Sequence, residues 1–182
     1  MRRMIVMLLA LLLLAACSKD KYQTNPDGST PVLYSRSAIL AWPVIDGARQ
    51  DPAGKARVYL DQTAKLPNDF QAGDGVRVGA RSVIAEDAVL FPNVAVGNDS
   101  SIGKDVILQS DVKIGNNVSI GKDTVVGQGT TVEDGARIGQ WVKIGTRASI
   151  GSGAEIGGAA SVADGATVAK NQRVAQGVHV AK

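Results

Sequence analysis

The chain has one cysteine and one histidine, Cys17 and His179, among its 182 residues. A single cysteine excludes an intramolecular disulfide framework. One cysteine and one histidine also exclude the common zinc sites, which need three or four such ligands, and we expect no cofactor. Phe, Trp and Tyr make up only 4% of the residues, too few for the stacking platform of a protein that binds single-stranded nucleic acid.

A basic and then apolar segment begins the chain. Arg2 and Arg3 precede an apolar run over residues 5–16, which would span about 18 Å as a helix, less than the ~30 Å hydrocarbon core of a membrane. Residues 1–16 are therefore predicted to be a signal peptide. The run ends in Leu-Ala-Ala-Cys, which resembles the lipobox of bacterial lipoproteins. This resemblance implies cleavage before Cys17 and lipidation of that cysteine, with palmitate among the acyl chains.

Cleavage changes the charge of the chain. Removing residues 1–16 lowers the formal net charge from +3 to +1, because two arginines are lost. The mature chain therefore lacks the basic footprint of a nucleic-acid-binding protein, and no nucleic acid is expected as a partner. The resemblance to lipoproteins, with Ser18 after the cysteine, implies anchoring in the outer membrane by the lipid. The protein would face the periplasm, with the cell surface as the alternative.

Two segments follow the signal peptide. Residues 17–31 are polar, contain two prolines and an Asp-Gly pair, and are predicted to form a lipidated tether. Residues 32–65 carry more apolar side chains and are predicted to form an N-terminal cap. Asp51 followed by Pro52 is typical of a helix N-terminus, and Pro67 would end such a helix. The cap is therefore predicted to contain one short helix between these prolines.

A six-residue repeat governs the remainder, residues 66–182. Its first position is aliphatic and larger than alanine in nineteen of twenty hexads, and its second position is mostly small. The fourth position is Asp, Asn or Gly in 15 of 19 hexads, the residue types that tolerate a left-handed backbone at a turn. The four exceptions are Arg81, Trp141, Arg147 and Ala159. Such a repeat predicts strands with positions five and one inward and tight turns at positions three and four.

The residues at the first position share one uninterrupted register. They are Leu66, Ala72, Val78, Ile84, Leu90, Val96, Ile102, Leu108, Ile114, Ile120, Val126, Val132, Ile138, Ile144, Ile150, Ile156, Val162, Val168, Val174 and Val180.

This pattern strongly resembles the hexapeptide-repeat, left-handed β-helix family, which includes the trimeric acyltransferases of lipid A biosynthesis. The resemblance covers the repeat region and implies an all-β fold, a left-handed parallel β-helix of about six and a half coils with 18 residues each. It also implies a homotrimer as one candidate assembly. A second period supports the coil length, since Asp69, Asp87, Asp105 and Asp123 recur at intervals of 18.

The residues themselves give little support to catalysis. The acyltransferases that the chain resembles use a histidine base beside a loop extruded from a coil, whereas no loop interrupts this repeat. His179 lies in the last coil, with no sequence signal for the orienting partner that a base needs. The family's acyl donors, coenzyme A and acyl carrier protein, are cytoplasmic, whereas this chain is predicted to be exported.

We therefore expect a lipid-anchored envelope protein whose rigid β-helix has a structural or interaction role, with no catalytic residue. Two alternatives stay open: an acyltransferase-like hexapeptide enzyme, and an envelope module that binds glycans.

An outward apolar stripe is the candidate interaction patch. Val89 and Phe91 are two residues apart on one predicted strand, and Ile107 and Val125 follow Val89 at intervals of 18. Such a patch usually marks a contact. Either the segment 32–59 of the same chain folds over this stripe, which we prefer, or the stripe forms the interface of a homotrimer. An envelope protein is a further possible partner of the chain.

Two corner features complete the candidate sites. Trp141 replaces an aspartate at a corner and is the candidate for contact with a glycan or a protein partner. The four aspartates spaced by 18 are weak candidates for a divalent-cation site, because stacked carboxylates repel unless they are paired or bridged. Turn chemistry, with Lys104 and Lys122 adjacent, explains the same aspartates without a metal, and we prefer that explanation.

Overall fold

The structure, a computed structural model, describes residues 31–182 of the chain. The predicted signal peptide and Cys17 lie outside the described residues, as does the predicted tether apart from Pro31. Within the described part, no helix is both long enough and apolar enough to cross a membrane.

From residue 71 onward, the sixth position of one hexad and the first position of the next form a two-residue strand, and a tight turn follows at the third and fourth positions. Residues 18 apart pair in parallel, as Ile102 does with Ile84 and Ile120. Three sheets result, and the repeat region is an all-β parallel β-solenoid; with one strand from the cap it has about seven turns. The predicted fold class is confirmed.

Between residues 31 and 182 the elements are one helix and 23 strands in three sheets. Helix α1 is Arg36–Ala41. Sheet I contains β1 (Tyr34–Ser35), β5 (Gln71–Ala72), β8 (Val89–Leu90), β11 (Ile107–Leu108), β14 (Val125–Val126), β17 (Lys143–Ile144), β20 (Ser161–Val162) and β23 (His179–Val180). Sheet II contains β7 (Val83–Ile84), β10 (Ser101–Ile102), β13 (Ser119–Ile120), β16 (Arg137–Ile138), β19 (Glu155–Ile156) and β22 (Arg173–Val174). Sheet III contains β2 (Val44–Ile45), β3 (Ala48–Gln50), β4 (Arg57–Leu60), β6 (Arg77–Val78), β9 (Ala95–Val96), β12 (Lys113–Ile114), β15 (Thr131–Val132), β18 (Ser149–Ile150) and β21 (Thr167–Val168).

The core is a column of stacked side chains from the first and fifth positions. Leu108 at a first position and Val106 at a fifth position are both fully buried. Burial of the aliphatic groups in this column is the main source of stability, at roughly 25 cal/mol per Å² of apolar surface. The small second position permits close stacking of the coils, since a Cβ at Gly139 would lie 2.6 Å from the backbone nitrogen of Gly158.

Buried hydroxyl groups at some fifth positions link successive coils. The Ser100 hydroxyl donates to the carbonyl of Gly115 (2.9 Å) and accepts from the backbone N–H of Val118 (3.1 Å). Thr124 and Thr130 make the same pair of contacts. These polar groups are therefore satisfied inside the column, where an unpaired one would cost about 1–3 kcal/mol.

The fourth position has a positive φ in every hexad from residue 75 to residue 177. The residues that break the Asp/Asn/Gly pattern adopt it as well, including Trp141 at 58° and Ala159 at 55°. An L-residue with a side chain pays roughly 1 kcal/mol for this conformation. Pairing with the coils on either side therefore imposes the turn even where the residue type disfavours it.

The cap differs from its prediction in the position of the helix. The predicted helix after Asp51 and Pro52 is wrong, because this stretch forms turns and then β4, which pairs in parallel with β6. Val58 and Tyr59 are residue types favoured in strands, and Leu60 pairs with Val78, three hexads later. The solenoid thus begins one hexad before the predicted boundary at residue 66.

The helix of the cap is instead α1. Its N-cap is Ser35, whose hydroxyl accepts a hydrogen bond from the backbone N–H of Ala38 (3.3 Å). Ile39 of α1 is fully buried, and Trp42 packs edge-to-face on Tyr34 with ring centroids 4.9 Å apart. These side chains join the main core cluster, so they cover the first coil of the solenoid.

Candidate functional site

His179 lies on the outer surface of sheet I in β23. Its side chain stacks beside Ser161 of β20, and the Ser161 Oγ is 2.8 Å from His179 Nδ1. The sequence analysis found no orienting partner for this histidine, yet the structure provides one. The signal was the 18-residue period, which places residue 161 directly beside residue 179.

The hydrogen bond orients the imidazole, and the Ser161 hydroxyl can donate or accept in it. When Nδ1 carries the hydrogen and donates it to the Ser161 hydroxyl, Nε2 presents a free lone pair to solvent. An imidazole in this tautomer can accept a proton at Nε2 from a group that approaches the outer surface. His179 and Ser161 together therefore have the minimum geometry of an oriented general base.

A charged ladder lies on the neighbouring sheet II. Arg137, Glu155 and Arg173 occupy the same outward position on β16, β19 and β22. Arg173 Nε is 3.0 Å from a Glu155 carboxylate oxygen, whereas Arg137 Nη1 is 3.9 Å from the other. These side chains line an open groove of about 560 Å³, which continues to Ala175 and Gln176. The groove thus reaches the turn between β22 and β23, and His179 is the first residue of β23.

The apolar stripe is covered in the structure. Val89, Phe91 and Ile107 form a buried cluster apart from the core, and Val125 packs against it while half-buried. Leu33 also packs against this cluster, and it belongs to the segment 32–59 that was one of the two expected covers. The use of the stripe as an interaction patch stays a prediction.

Trp141 lies exposed at a corner, with 52% of its surface accessible. Its indole Nε1 donates a hydrogen bond to the Asp123 carboxylate (3.1 Å), and the Lys122 ammonium lies 5.2 Å from the ring centroid. These contacts account for the orientation of the ring. Its contact with a glycan or partner stays a prediction.

The aspartates of the 18-residue ladder are engaged in turns and ion pairs. The Asp69 carboxylate accepts a hydrogen bond from the backbone N–H of Asp87 (2.8 Å). Lys104 lies 3.4 Å from the Asp87 carboxylate, which raises the pKa of the lysine. Asp105, the third member, is also engaged. Between residues 31 and 182, no three His, Cys, Asp or Glu side chains form a group that could hold a metal ion.

Comparisons with known proteins place these features in context. Residues 123–158 match the family described as bacterial transferase hexapeptide (six repeats). The acetyltransferase domain of PglB from Neisseria gonorrhoeae, solved in complex with acetyl coenzyme A, is 27% identical, with a TM-score of 0.60. That similarity covers 63% of this chain and 55% of that chain. No curated protein matches the sequence.

A second similar structure supports the fold alone. It is a mutant of perosamine N-acetyltransferase from Caulobacter crescentus in complex with CoA and GDP-perosamine, 20% identical with a TM-score of 0.50. The similarity covers 67% of this chain and 51% of that chain. The chain therefore spans about half the length of these two solved proteins.

These comparisons correct one expectation of the sequence analysis. The prediction of a non-catalytic structural or interaction protein is wrong, because the similarity to an acetyltransferase domain favours the acyltransferase alternative instead. That prediction rested on the uninterrupted repeat, on the lack of a sequence signal for a partner of His179, and on the cytoplasmic location of the family's acyl donors. The structure contradicts the second of these grounds, since Ser161 lies beside His179.

Proposed function

We propose that this protein is an acyltransferase, which moves an acyl group from a thioester to an amine or hydroxyl acceptor. The observation that carries the proposal is the similarity to the PglB acetyltransferase domain, a domain solved with acetyl coenzyme A. The match of residues 123–158 to the bacterial transferase hexapeptide family supports it.

His179 is the proposed general base. As the acceptor nitrogen or oxygen attacks the thioester carbonyl, Nε2 of His179 takes its proton, and the carbon–sulfur bond breaks. The departing thiolate then recovers that proton, so the products are the acylated acceptor and a free thiol. Ser161 is a positioning residue, because its hydroxyl, 2.8 Å from Nδ1, orients the ring and can accept the Nδ1 hydrogen in the tautomer with a free Nε2.

A second copy of the chain is proposed to complete the site. His179 is exposed in the single chain, whereas acyl transfer benefits from a site that excludes water. The acyltransferases that the sequence resembles are trimers, and a homotrimer would cover the outer surface of the last coils. We therefore propose a homotrimer as the active form.

The cellular location is a separate proposal. The lipobox-like segment ending at Cys17 supports a lipid anchor in the outer membrane, facing the periplasm. Since coenzyme A is cytoplasmic, an exported enzyme would need an acyl donor from the envelope. The acyltransferase activity and the envelope location can therefore both hold only if the acyl donor is available in the envelope.

The test is an activity assay on the full-length protein in detergent. Acetyl coenzyme A and a panel of amino sugars are supplied, and the released thiol is measured. We expect release that depends on the acceptor, a loss of about 100-fold in kcat for His179→Asn, and a smaller loss for Ser161→Ala. In a second series a phospholipid replaces acetyl coenzyme A. Its oxygen ester takes the place of the thioester and its alcohol takes the place of the thiol as leaving group, so the acylated acceptor is measured. No acceptor-dependent transfer from either donor, or equal rates in the parent and His179→Asn, would overturn the proposal.

A further inference from the structure

The groove on sheet II has the chemistry of an anion site. Two guanidinium groups, those of Arg137 and Arg173, lie on strands separated by one intervening strand, roughly 10 Å apart at the usual spacing. Glu155 lies between them, so the three side chains together carry a formal charge of +1. The arginine side chains are 76% and 80% exposed, and their donors remain accessible to a ligand.

The ion pairs in this ladder leave hydrogen-bonding capacity unused. A guanidinium has five N–H donors, and Arg173 uses two of its nitrogens on Glu155, at 3.0 Å and 3.4 Å. Arg137 contacts the same carboxylate at 3.9 Å, beyond hydrogen-bonding distance. Ion pairs this exposed contribute little to stability. The arginines are therefore free to bind another anion at little cost to the fold.

We propose that this groove binds the diphosphate group of a ligand. Guanidinium groups recognise phosphate oxygens through paired hydrogen bonds, and a diphosphate offers one phosphate to each arginine across the groove. Gln176, which also lines the groove, adds an uncharged side chain able to donate a hydrogen bond.

The position of the groove gives this site a role in the proposed reaction. Arg173 and His179 belong to consecutive strands of the same coil, and six residues span at most about 20 Å. A ligand held by its diphosphate in the groove would extend over the turn at residues 175–178 toward His179. This role, unlike the binding itself, rests on the proposed function. The diphosphate could come from a coenzyme A thioester donor or from a nucleotide-sugar acceptor.

The experiment is isothermal titration calorimetry on the full-length protein in detergent. The probes are inorganic pyrophosphate, coenzyme A and UDP-N-acetylglucosamine. We expect at least one of them to bind, with an affinity that falls as salt is added. Tighter binding of coenzyme A than of pyrophosphate assigns the site to the donor, and tighter binding of the nucleotide sugar assigns it to the acceptor.

A pair of double variants separates a specific site from general attraction. Arg137→Gln with Arg173→Gln should weaken binding about tenfold or more, with an unchanged circular dichroism spectrum. The matched control is Lys113→Gln with Lys143→Gln, which removes the same charge from sheets III and I and should leave binding intact. Equal losses in the two double variants, or no binding of any probe, would overturn the proposal.

The single variant His179→Asn distinguishes this proposal from the proposed function. It should retain the affinity for the probe while losing acyl transfer. Binding without turnover in the parent protein would remove the acyltransferase assignment and leave the diphosphate site standing. Acyl transfer without binding at the arginines would overturn the diphosphate site and leave the acyltransferase assignment standing.

Discussion

The first and last coils of sheet I share an interior and differ in their outer surface. Inward, both carry buried aliphatic residues, such as Leu90 and Val162. Outward, the first coils present apolar side chains such as Ile107, whereas the last coil presents His179. The first and fifth positions of each hexad are therefore constrained by the core and specify the fold. The sixth position points outward and can vary with function.

The largest effect is expected from a charge in the shared interior. Ile120→Asp places a carboxylate without a partner between Ile102 and Ile138, and should lower the free energy of unfolding by about 4 kcal/mol or more. Denaturant unfolding followed by circular dichroism measures it. The control is Ser119→Asp, one residue earlier and exposed, which should change the value by less than about 0.5 kcal/mol. Similar losses in both variants would contradict the inward and outward assignment.

A smaller effect should distinguish the outer surfaces of the two regions. Ile107→Asp introduces a charge into the cluster beneath Leu33 and should cost about 2 kcal/mol. It should also make the peptide bonds beside Leu33 more sensitive to limited proteolysis. Lys143→Asp changes the same outward position two coils later and should be nearly neutral. The contrast between the regions fails if the two variants lose stability equally.

A substitution at a corner of the solenoid is expected to raise the free energy of unfolding rather than lower it. Ala159 has a φ of 55°, so Ala159→Gly should relieve strain and raise the free energy of unfolding by about 1 kcal/mol. Ala160→Gly, at the next residue, removes a buried methyl group where φ is not positive and should be destabilising by about 1 kcal/mol. Denaturant midpoints compare the two variants. A loss of stability in Ala159→Gly would show that its methyl group contributes more than its backbone costs.

The smallest expected effect is a loss of folding stability at acidic pH. Two hydrogen bonds from the Arg81 guanidinium lower the pKa of Asp99, and the backbone N–H of Thr146 lowers that of Asp164. The folded state therefore binds these protons more weakly than the unfolded chain. The stability they contribute is present above their ordinary pKa of 3.8 and is lost as the pH falls through the lower folded values.

Thermal unfolding across this pH range measures the acid effect. A double variant with Asp99→Asn and Asp164→Asn should lose less melting temperature on acidification than the parent. A larger loss in the double variant would contradict the assigned direction of these pKa shifts.

The sequence predicted the solenoid because its period is a physical property of the fold. Positions 18 apart pair with one another, so Ser161 beside His179 and the Arg137–Glu155–Arg173 ladder were both accessible from spacing alone. The same rule would have extended the register back to Leu60, one hexad before Leu66. The Asp51–Pro52 pair obscured this, since a local helix signal competed with a long-range pairing that only the whole fold provides.

The structure of the cap could not be predicted from the pairing of positions 18 apart. Strand β1 pairs antiparallel with β5, and no hexad encodes that direction. Helix α1 spans only six residues, too short to be stable by propensity alone, and depends on the burial of Ile39. The contact of Leu33 with the stripe follows from the same antiparallel pairing. Such contacts depend on tertiary packing, which the sequence pattern does not express.

The pairing of every third hexad has a consequence for how this chain can change in length. Duplication of one complete coil would lengthen the rod by about 4.8 Å and return every later residue to its original face. Insertion of a single hexad would preserve the core pattern equally well, but it would rotate everything downstream by a third of a turn. His179 would then lie on a different side of the solenoid from Leu33. Viable insertions and deletions that keep this relation should therefore come only as complete coils, three hexads at a time.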